Sequence, residues 1–125
     1  MPTKGLDKRD IVERTFSFAL LTVRLCQEID GKPGVARTLA FQLLKSGTSI
    51  GANVEEAQAG QSRADFISKY SIALKEAREA AYWLRLISEA KILAFSKIEP
   101  LRTEAVELSR ILGAIVLRTK RNSRL

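Results

Sequence analysis

Hydrophobic residues recur at alternating intervals of three and four along four separate stretches of this chain. In an α-helix this spacing places apolar side chains along one stripe, and heptad stripes form the seam of a bundle whose helices cross at shallow angles. The pattern therefore predicts four packed helices. The predicted seams are Val12, Phe16, Ala19, Val23 and Cys26; Ala36, Ala40, Leu43, Gly47, Ile50, Val54 and Ala57; Phe66, Tyr70, Ala73, Ala77, Ala80, Leu84 and Ile87; and Leu101, Ala105, Leu108, Leu112 and Ile115.

Turn and capping residues separate these stretches. The run 30–34 contains two glycines and a proline, which end helices. Ser62 is a predicted N-cap, and Ser96 with Glu99 is a predicted capping box. Short connections make consecutive helices antiparallel, so we predict an all-α, antiparallel up-and-down four-helix bundle, with residues 1–125 forming one domain. The predicted helices cover about 7–29, 35–58, 63–92 and 97–118, and residues 119–125 form a basic tail expected to be frayed.

Two of the predicted helices carry more apolar residues than one seam requires. A helix that is apolar on more than one face must cover the second face, and in a small protein a second copy of the chain is an economical cover. The alternative is a wide core stripe with scattered exposed leucines. The additional residues are Ile11, Phe18, Leu20, Leu21, Leu25 and Ile29 in the first helix, and Ile67, Ile72, Leu74, Tyr82, Trp83 and Leu86 in the third.

Positive charge is concentrated at the C-terminal end. Residues 96–125 contain seven basic and three acidic residues, and so supply +4 of the formal net charge of +7. Clustered cations favour a polyanionic partner such as RNA or DNA. The alternative is a solubilising terminus whose charges favour the negative end of the helix dipole. The candidate nucleic-acid-binding residues are Arg102, Arg110, Arg118, Lys120, Arg121 and Arg124.

Residues that carry enzyme chemistry are scarce. The chain has no histidine and one cysteine, which removes the commonest general base and any cysteine-rich zinc site. Glu55 and Glu56 are adjacent and would diverge by about 100° on a helix. We therefore expect a non-enzymatic protein with no catalytic, metal or cofactor site. No signal peptide or membrane-spanning stretch is recognised, so the expected location is cytoplasmic, with no membrane partner.

The run Ser49-Ile50-Gly51-Ala52-Asn53-Val54-Glu55-Glu56-Ala57, then Gly60 to Phe66 and Ile72 to Glu79, resembles a family signature. The family is the bacterial four-helix bundle proteins encoded in intervening sequences of 23S rRNA, with a pattern close to S-I-P-A-N-I-A-E-G. Gly51, Glu55 and Ala57 depart from it, where proline, alanine and glycine are common. The resemblance implies a bundle that associates into rings, five subunits to a ring, and implies no catalysis. Relatives that accompany retroelement reverse transcriptases bind nucleic acid through a basic surface.

The signature includes a polar edge on the second helix, where Ser46, Ser49, Asn53 and Glu56 recur at helical spacing. Three interpretations remain: a solvated face, a ligand or nucleic-acid contact, or a buried asparagine that fixes register across the bundle or between subunits. We favour the structural role. The structural or interface signature residues are then Ser49, Asn53, Glu56, Ser62, Arg63 and Phe66.

Two functions fit these features. The first is a homo-oligomer, expected to be a pentamer, that presents a basic surface to RNA, DNA or a nucleoprotein partner. The alternative is a protein–protein adaptor with no nucleic-acid role. An enzyme would require a bound metal or cofactor that the residue types do not suggest.

Overall fold

The computed structural model describes residues 8–60 and 62–123, which form four α-helices. The helices are α1 (Lys8–Ile29), α2 (Val35–Gln58), α3 (Arg63–Glu89) and α4 (Phe95–Ser123). Each packs against the next in the chain, and α1 and α4 meet more sparsely. Because the connections are short, neighbouring helices are antiparallel, and the predicted all-α four-helix bundle is confirmed.

The turns between helices follow from a few residues. Gly31 and Gly34 have φ angles of 93° and 73°, in the left-handed region that glycine adopts without a steric penalty. Ser62 caps α3, since its Oγ accepts a hydrogen bond of 3.0 Å from the backbone N–H of Asp65. The N-cap predicted at Ser62 is therefore confirmed.

The fourth helix is longer than predicted at both ends. It begins at Phe95, so Ser96 lies inside its first turn and the predicted capping box is wrong. The tail predicted to be frayed is helical through Ser123, and residues 124–125 lie outside the described part. Lys120 and Arg121 stand in the last turn, where cations interact favourably with the helix dipole. Two candidate cations of this segment, Lys120 and Arg121, are thus carried on a helix.

The predicted seam of α1 is wrong by one residue. Phe16 is 59% exposed, whereas Phe18 and three further residues assigned to the additional face are buried. The buried stripe of α1 is completed by Thr15 and Thr22, both fully buried. The seams of α2, α3 and α4 agree with prediction, apart from Ala36, Phe66 and Ile115, which are half-buried. The buried apolar residues of α1 are Ile11, Phe18, Leu25 and Ile29.

The two buried threonines explain this difference. Thr22 faces Gly47 of α2, and a Cβ placed on Gly47 would lie 2.7 Å from Thr22 Cγ2. A Cβ on Gly51 would lie 3.1 Å from the carbonyl oxygen of Thr15. Both hydroxyls are satisfied inside α1, because Thr15 donates to Ile11 O at 2.9 Å and Thr22 donates to Phe18 O at 2.8 Å. Threonine therefore packs where α1 and α2 approach too closely for a Cβ on the facing glycine.

Candidate functional site

Exposed arginines lie on the outer side of the α3–α4 pair. Leu74 marks the register of the two helices, since a Cβ on Gly113 would lie 3.9 Å from Leu74 Cδ2. Because the helices are antiparallel, the residue four positions after Leu74 lies at about the same height along the bundle as the residue three positions before Gly113. Those residues are Arg78 and Arg110, and both are exposed. The two residues therefore lie at about the same height on neighbouring helices.

The same register places a second pair of arginines about two helical turns beyond the first pair. Arg85 follows Leu74 by eleven residues and Arg102 precedes Gly113 by eleven, which is about three turns in each helix. Arg85 is exposed and Arg102 is half-buried. We call the four residues Arg78, Arg85, Arg102 and Arg110 the arginine face.

Glutamates near the arginine face form only weak ion pairs with it. Arg85 Nε lies 3.1 Å from Glu89 Oε2, and Arg110 Nη1 lies 3.4 Å from Glu107 Oε1. Both ion pairs are largely exposed, and pairs of this kind contribute about 0–1 kcal/mol. The guanidinium groups can therefore exchange these partners for phosphate at small cost.

The C-terminal turn of α4 extends the positive surface. Arg121 follows Arg110 by eleven residues and so lies on nearly the same side of the helix. Arg118, Lys120 and Arg121 are exposed, and the remaining predicted cation, Arg124, lies outside the described residues. The sequence interpretation included Arg102 and Arg110 but missed Arg78 and Arg85. Their seven-residue spacing was a signal, but only the register of α3 on α4 places them beside the candidates.

Three signature residues lie at one end of the bundle. Ser62, Arg63 and Phe66, at the beginning of α3, line a cavity of about 530 Å³ together with the last turns of α2 and α4. The ring of Phe66 stacks on Tyr70 with a centroid separation of 4.3 Å. We call this space the end cavity; its lining is Ala57, Gln58, Gly60, Ser62, Arg63, Phe66, Thr119 and Asn122.

One wall of the end cavity is held by a partly buried hydrogen bond. Gln58 Nε2 donates to the hydroxyl of Tyr70 at 2.9 Å, which joins the end of α2 to α3. Burial raises the pKa of the Tyr70 hydroxyl, and the hydrogen bond from Gln58 acts in the opposite direction with a smaller effect. The phenol therefore stays protonated at neutral pH.

The other three signature residues lie on α2 and do not line the end cavity. Asn53 is half-buried, and its Nδ2 donates to Ser49 O of its own helix at 2.9 Å. This hydrogen bond does not join two helices, so a register-fixing contact between subunits stays a prediction. Glu56 reaches α3, where its Oε1 lies 2.9 Å from Lys69 Nζ.

The outer side of the α1–α2 pair is apolar. Phe16 on α1 and Phe41 on α2 are 59% and 61% exposed. Two open cavities of about 270 and 570 Å³ lie between the helices on this side. Cys26 lines the smaller one, and burial raises the pKa of its thiol to about 11. We call this surface the outer α1–α2 groove; its exposed or half-buried apolar residues are Phe16, Ala19, Val23, Cys26, Phe41 and Leu44.

Two features are absent from the described ranges, 8–60 and 62–123. No group of three or more cysteine, aspartate or glutamate side chains is arranged to hold a metal ion there. None of the helices in that part has both the length and the apolar content needed to cross a bilayer.

Comparisons with known proteins agree with this architecture. A solved structure from Bacteroides thetaiotaomicron VPI-5482, described as a protein of unknown function from the S23 ribosomal protein family, is 37% identical with a TM-score of 0.80. The match covers 87% of this chain and 96% of that one. No curated protein matches. The family model described as 23S rRNA-intervening sequence protein matches residues 7–114, so the chain belongs to that family.

Proposed function

We propose that this protein is a non-enzymatic homo-oligomer that binds nucleic acid through the arginine face and the C-terminal turn of α4. The observation that supports the proposal is the contact of Leu74 with Gly113, from which helix geometry puts Arg78 level with Arg110 and Arg85 level with Arg102. Both helices contribute cations to one surface. The partner is RNA, DNA or a nucleoprotein in which phosphates remain accessible.

Arginine suits this role because its planar guanidinium forms paired hydrogen bonds to phosphate. Contacts of this kind fix position without reading bases, so we expect binding with little sequence preference. The described part of α4 continues the surface with Arg118, Lys120 and Arg121 near its end. A helical segment holds these side chains at fixed spacing, which lowers the entropy lost when they bind.

Self-association would multiply the effect of each arginine face. The outer α1–α2 groove supports an interface between copies, since its exposed phenylalanines are apolar surface that a single subunit leaves uncovered. The exposed Ile72, Tyr82 and Leu86 lie on α3, the helix that carries Arg78 and Arg85, and are not part of this proposed interface. In a bundle whose helices follow one another around the axis, the α1–α2 side is opposite the α3–α4 side. Association through the groove would therefore leave the arginine face accessible, and rings of five subunits would carry five such faces.

Two double variants test the phosphate contacts. Arg78→Gln with Arg110→Gln removes two cations from the arginine face, and Arg24→Gln with Lys45→Gln removes two exposed cations elsewhere. Each phosphate contact contributes about −0.9 to the slope of log K against log salt concentration for duplex DNA. We therefore expect the first variant to reduce that slope by about 1.8 and the second to change it little, measured by filter binding between about 50 and 200 mM salt.

Equal behaviour of the two double variants would contradict the proposal, and so would the absence of any binding at the lowest salt concentration. The adaptor alternative predicts a protein partner that copurifies after nuclease treatment. That result together with a flat salt dependence would replace nucleic acid by an acidic protein surface as the partner.

A further inference from the structure

An exposed aromatic side chain lies within the arginine face. Tyr82 is 59% exposed, although the next residue, Trp83, packs partly against the core. Tyr82 follows Arg78 by four residues and precedes Arg85 by three, so the three residues lie on the same side of α3. The ring therefore lies in solvent between two cations of one helix.

The facing helix has a similar arrangement. Val106 is 39% exposed and lies four residues after Arg102 and four before Arg110, so it shares their side of α4. By the register of α3 on α4, Val106 lies at about the same height as Tyr82. The arginine face therefore has an apolar centre, with a pair of arginines beyond it in each direction along the bundle.

The position of the Tyr82 ring is set by its neighbour. The ring centroids of Tyr82 and Trp83 are 5.1 Å apart, with 75° between their planes. Trp83 is held in turn, because its Nε1 donates to Glu79 Oε2 at 3.1 Å. An edge-to-face contact uses the edge of one ring and one face of the other, so it leaves at least one face of Tyr82 open. A preorganised ring loses little side-chain entropy on binding.

From this arrangement we infer that the arginine face prefers single-stranded nucleic acid, with a base stacked on Tyr82 and the phosphates on either side of that base bound by the arginines. The inference rests on the proposed function and deepens it by naming the class of strand. Bases inside a duplex have both faces covered by their neighbours, whereas an unpaired base offers a face to an aromatic ring while its backbone contacts cations. Every base has such a face, so the contact adds affinity without sequence preference.

The test separates stacking from charge by comparing two strands with equal numbers of phosphates. One strand is an oligothymidylate, and the other has the same backbone without bases. Each competes unlabelled against a common fluorescent strand at low salt, and displacement is followed by fluorescence anisotropy. A blunt duplex is measured in parallel, because it offers phosphates without unpaired bases.

Three variants change the ring of Tyr82. Tyr82→Leu keeps an apolar side chain but removes the ring, Tyr82→Lys replaces the ring by a cation, and Tyr82→Phe retains a ring. Phe16→Leu is the matched control, because Phe16 is also 59% exposed but lies on α1. Leucine keeps the outer α1–α2 groove apolar, and any change in self-association would affect both strands alike. Thermal melting followed by circular dichroism checks that each variant folds.

We expect the wild type to bind the thymidine strand at least about fivefold more tightly than the strand without bases, which corresponds to the stacking of one base. Tyr82→Leu should bind the two strands equally, with its affinity for the strand without bases unchanged. Tyr82→Lys should bind both strands more tightly, again without preference. Tyr82→Phe and Phe16→Leu should retain the preference of the wild type.

A wild type that binds the two strands equally, or a folded ring-free variant that keeps the preference, would overturn the inference, while salt-dependent binding of the duplex would leave the proposed function standing. Failure to bind either strand or the duplex at low salt would instead overturn the proposed function, and this inference with it.

Discussion

At the scale of single residues, the approach of α1 to α2 depends on glycines that face threonines. Mid-helix glycine costs about 1 kcal/mol relative to alanine. Gly47 is nevertheless required, since a Cβ there would lie 2.7 and 2.9 Å from Thr22 Cγ2 and Oγ1. Burial of Phe18 and Leu25 on the same stripe of α1 offsets that cost through apolar area removed from water.

The variant Gly47→Ala is therefore expected to destabilise the protein, although alanine is the better helix former. The new methyl group must displace Thr22 or move α1 away from α2, at a cost of about 1–3 kcal/mol. Gly113→Ala is the matched control, because its Cβ would meet Leu74 Cδ2 at an ordinary 3.9 Å and should stabilise α4 by up to about 1 kcal/mol. Urea unfolding measures both, and a Gly47→Ala protein as stable as the wild type would contradict the close α1–α2 contact.

Cys26 gives a prediction for alkaline pH. Burial raises the pKa of its folded-state thiol from 9.0 to about 11. The unfolded chain therefore loses this proton first, so the contribution of Cys26 to stability is present below pH 9 and is lost as pH rises towards 11. Between these values the free energy of unfolding should decline more steeply for the wild type than for Cys26→Ala, as measured by urea unfolding across pH. Parallel curves for the two proteins would show that the thiol titrates normally.

At the scale of helices, α1 and α4 make the sparsest contact of the bundle, and ion pairs bridge them. Arg14 on α1 donates to Glu104 on α4 through Nε at 3.0 Å and Nη2 at 2.7 Å. The Arg14 pKa is raised, chiefly by this hydrogen bond to Glu104. Lys97 Nζ and Glu28 Oε1, 2.6 Å apart, form a second bridge that is more exposed. These contacts close the side of the bundle where backbone packing is least extensive.

A double-mutant cycle of Arg14→Ala and Glu104→Ala should give a coupling of about 1 kcal/mol. The pair is bidentate and its side chains are 28% and 32% exposed, so it should exceed ordinary surface pairs. The exposed Arg85–Glu89 pair within α3 is the control, with an expected coupling of about 0.3–0.5 kcal/mol. Urea unfolding at low and high salt gives both values. Equal couplings would mean that the α1–α4 bridge has no special role.

At the scale of the whole molecule, the two sides of the bundle differ in chemistry. The outer α1–α2 groove is apolar, and the α3–α4 side carries the arginine face. Separate surfaces allow association between copies and binding of a polyanion to occur together. The proposed function depends on this separation, because an interface that covered the arginines would prevent phosphate contacts.

Charge placed in the groove should disrupt association. Phe16→Glu and Phe41→Glu each put a carboxylate on apolar surface that the proposed interface would bury, at a cost of several kcal/mol per subunit contact. We expect both variants to sediment as single subunits, while Phe95→Glu, at an equally exposed phenylalanine elsewhere, leaves the assembly unchanged. Native mass spectrometry would give the subunit number. A wild-type protein that is already monomeric in dilute solution would contradict the assembly part of the proposal.

Much of this architecture could be predicted from the chain, and the exceptions have definite causes. Spacing predicted the bounds of α2 and the N-cap at Ser62, because both depend on residues close in sequence. The candidate site was predicted only in part. Arg102 and Arg110 belong to a basic segment that composition reveals, whereas Arg78 and Arg85 join them through the register of another helix. Likewise, the end cavity gathers residues more than fifty positions apart.

The sequence by itself determined the number of helices and most of their buried stripes, since helical periodicity is a local property of the chain. Tertiary structure decided which side of α1 faces the core. The sequence predicts that the all-apolar stripe through Phe16 is buried, yet the stripe with Thr15 and Thr22 is the buried one. The physical reason is that a threonine whose hydroxyl bonds to its own helix can pack against glycine, and only the pairing of α1 with α2 brings Gly47 and Gly51 to those positions.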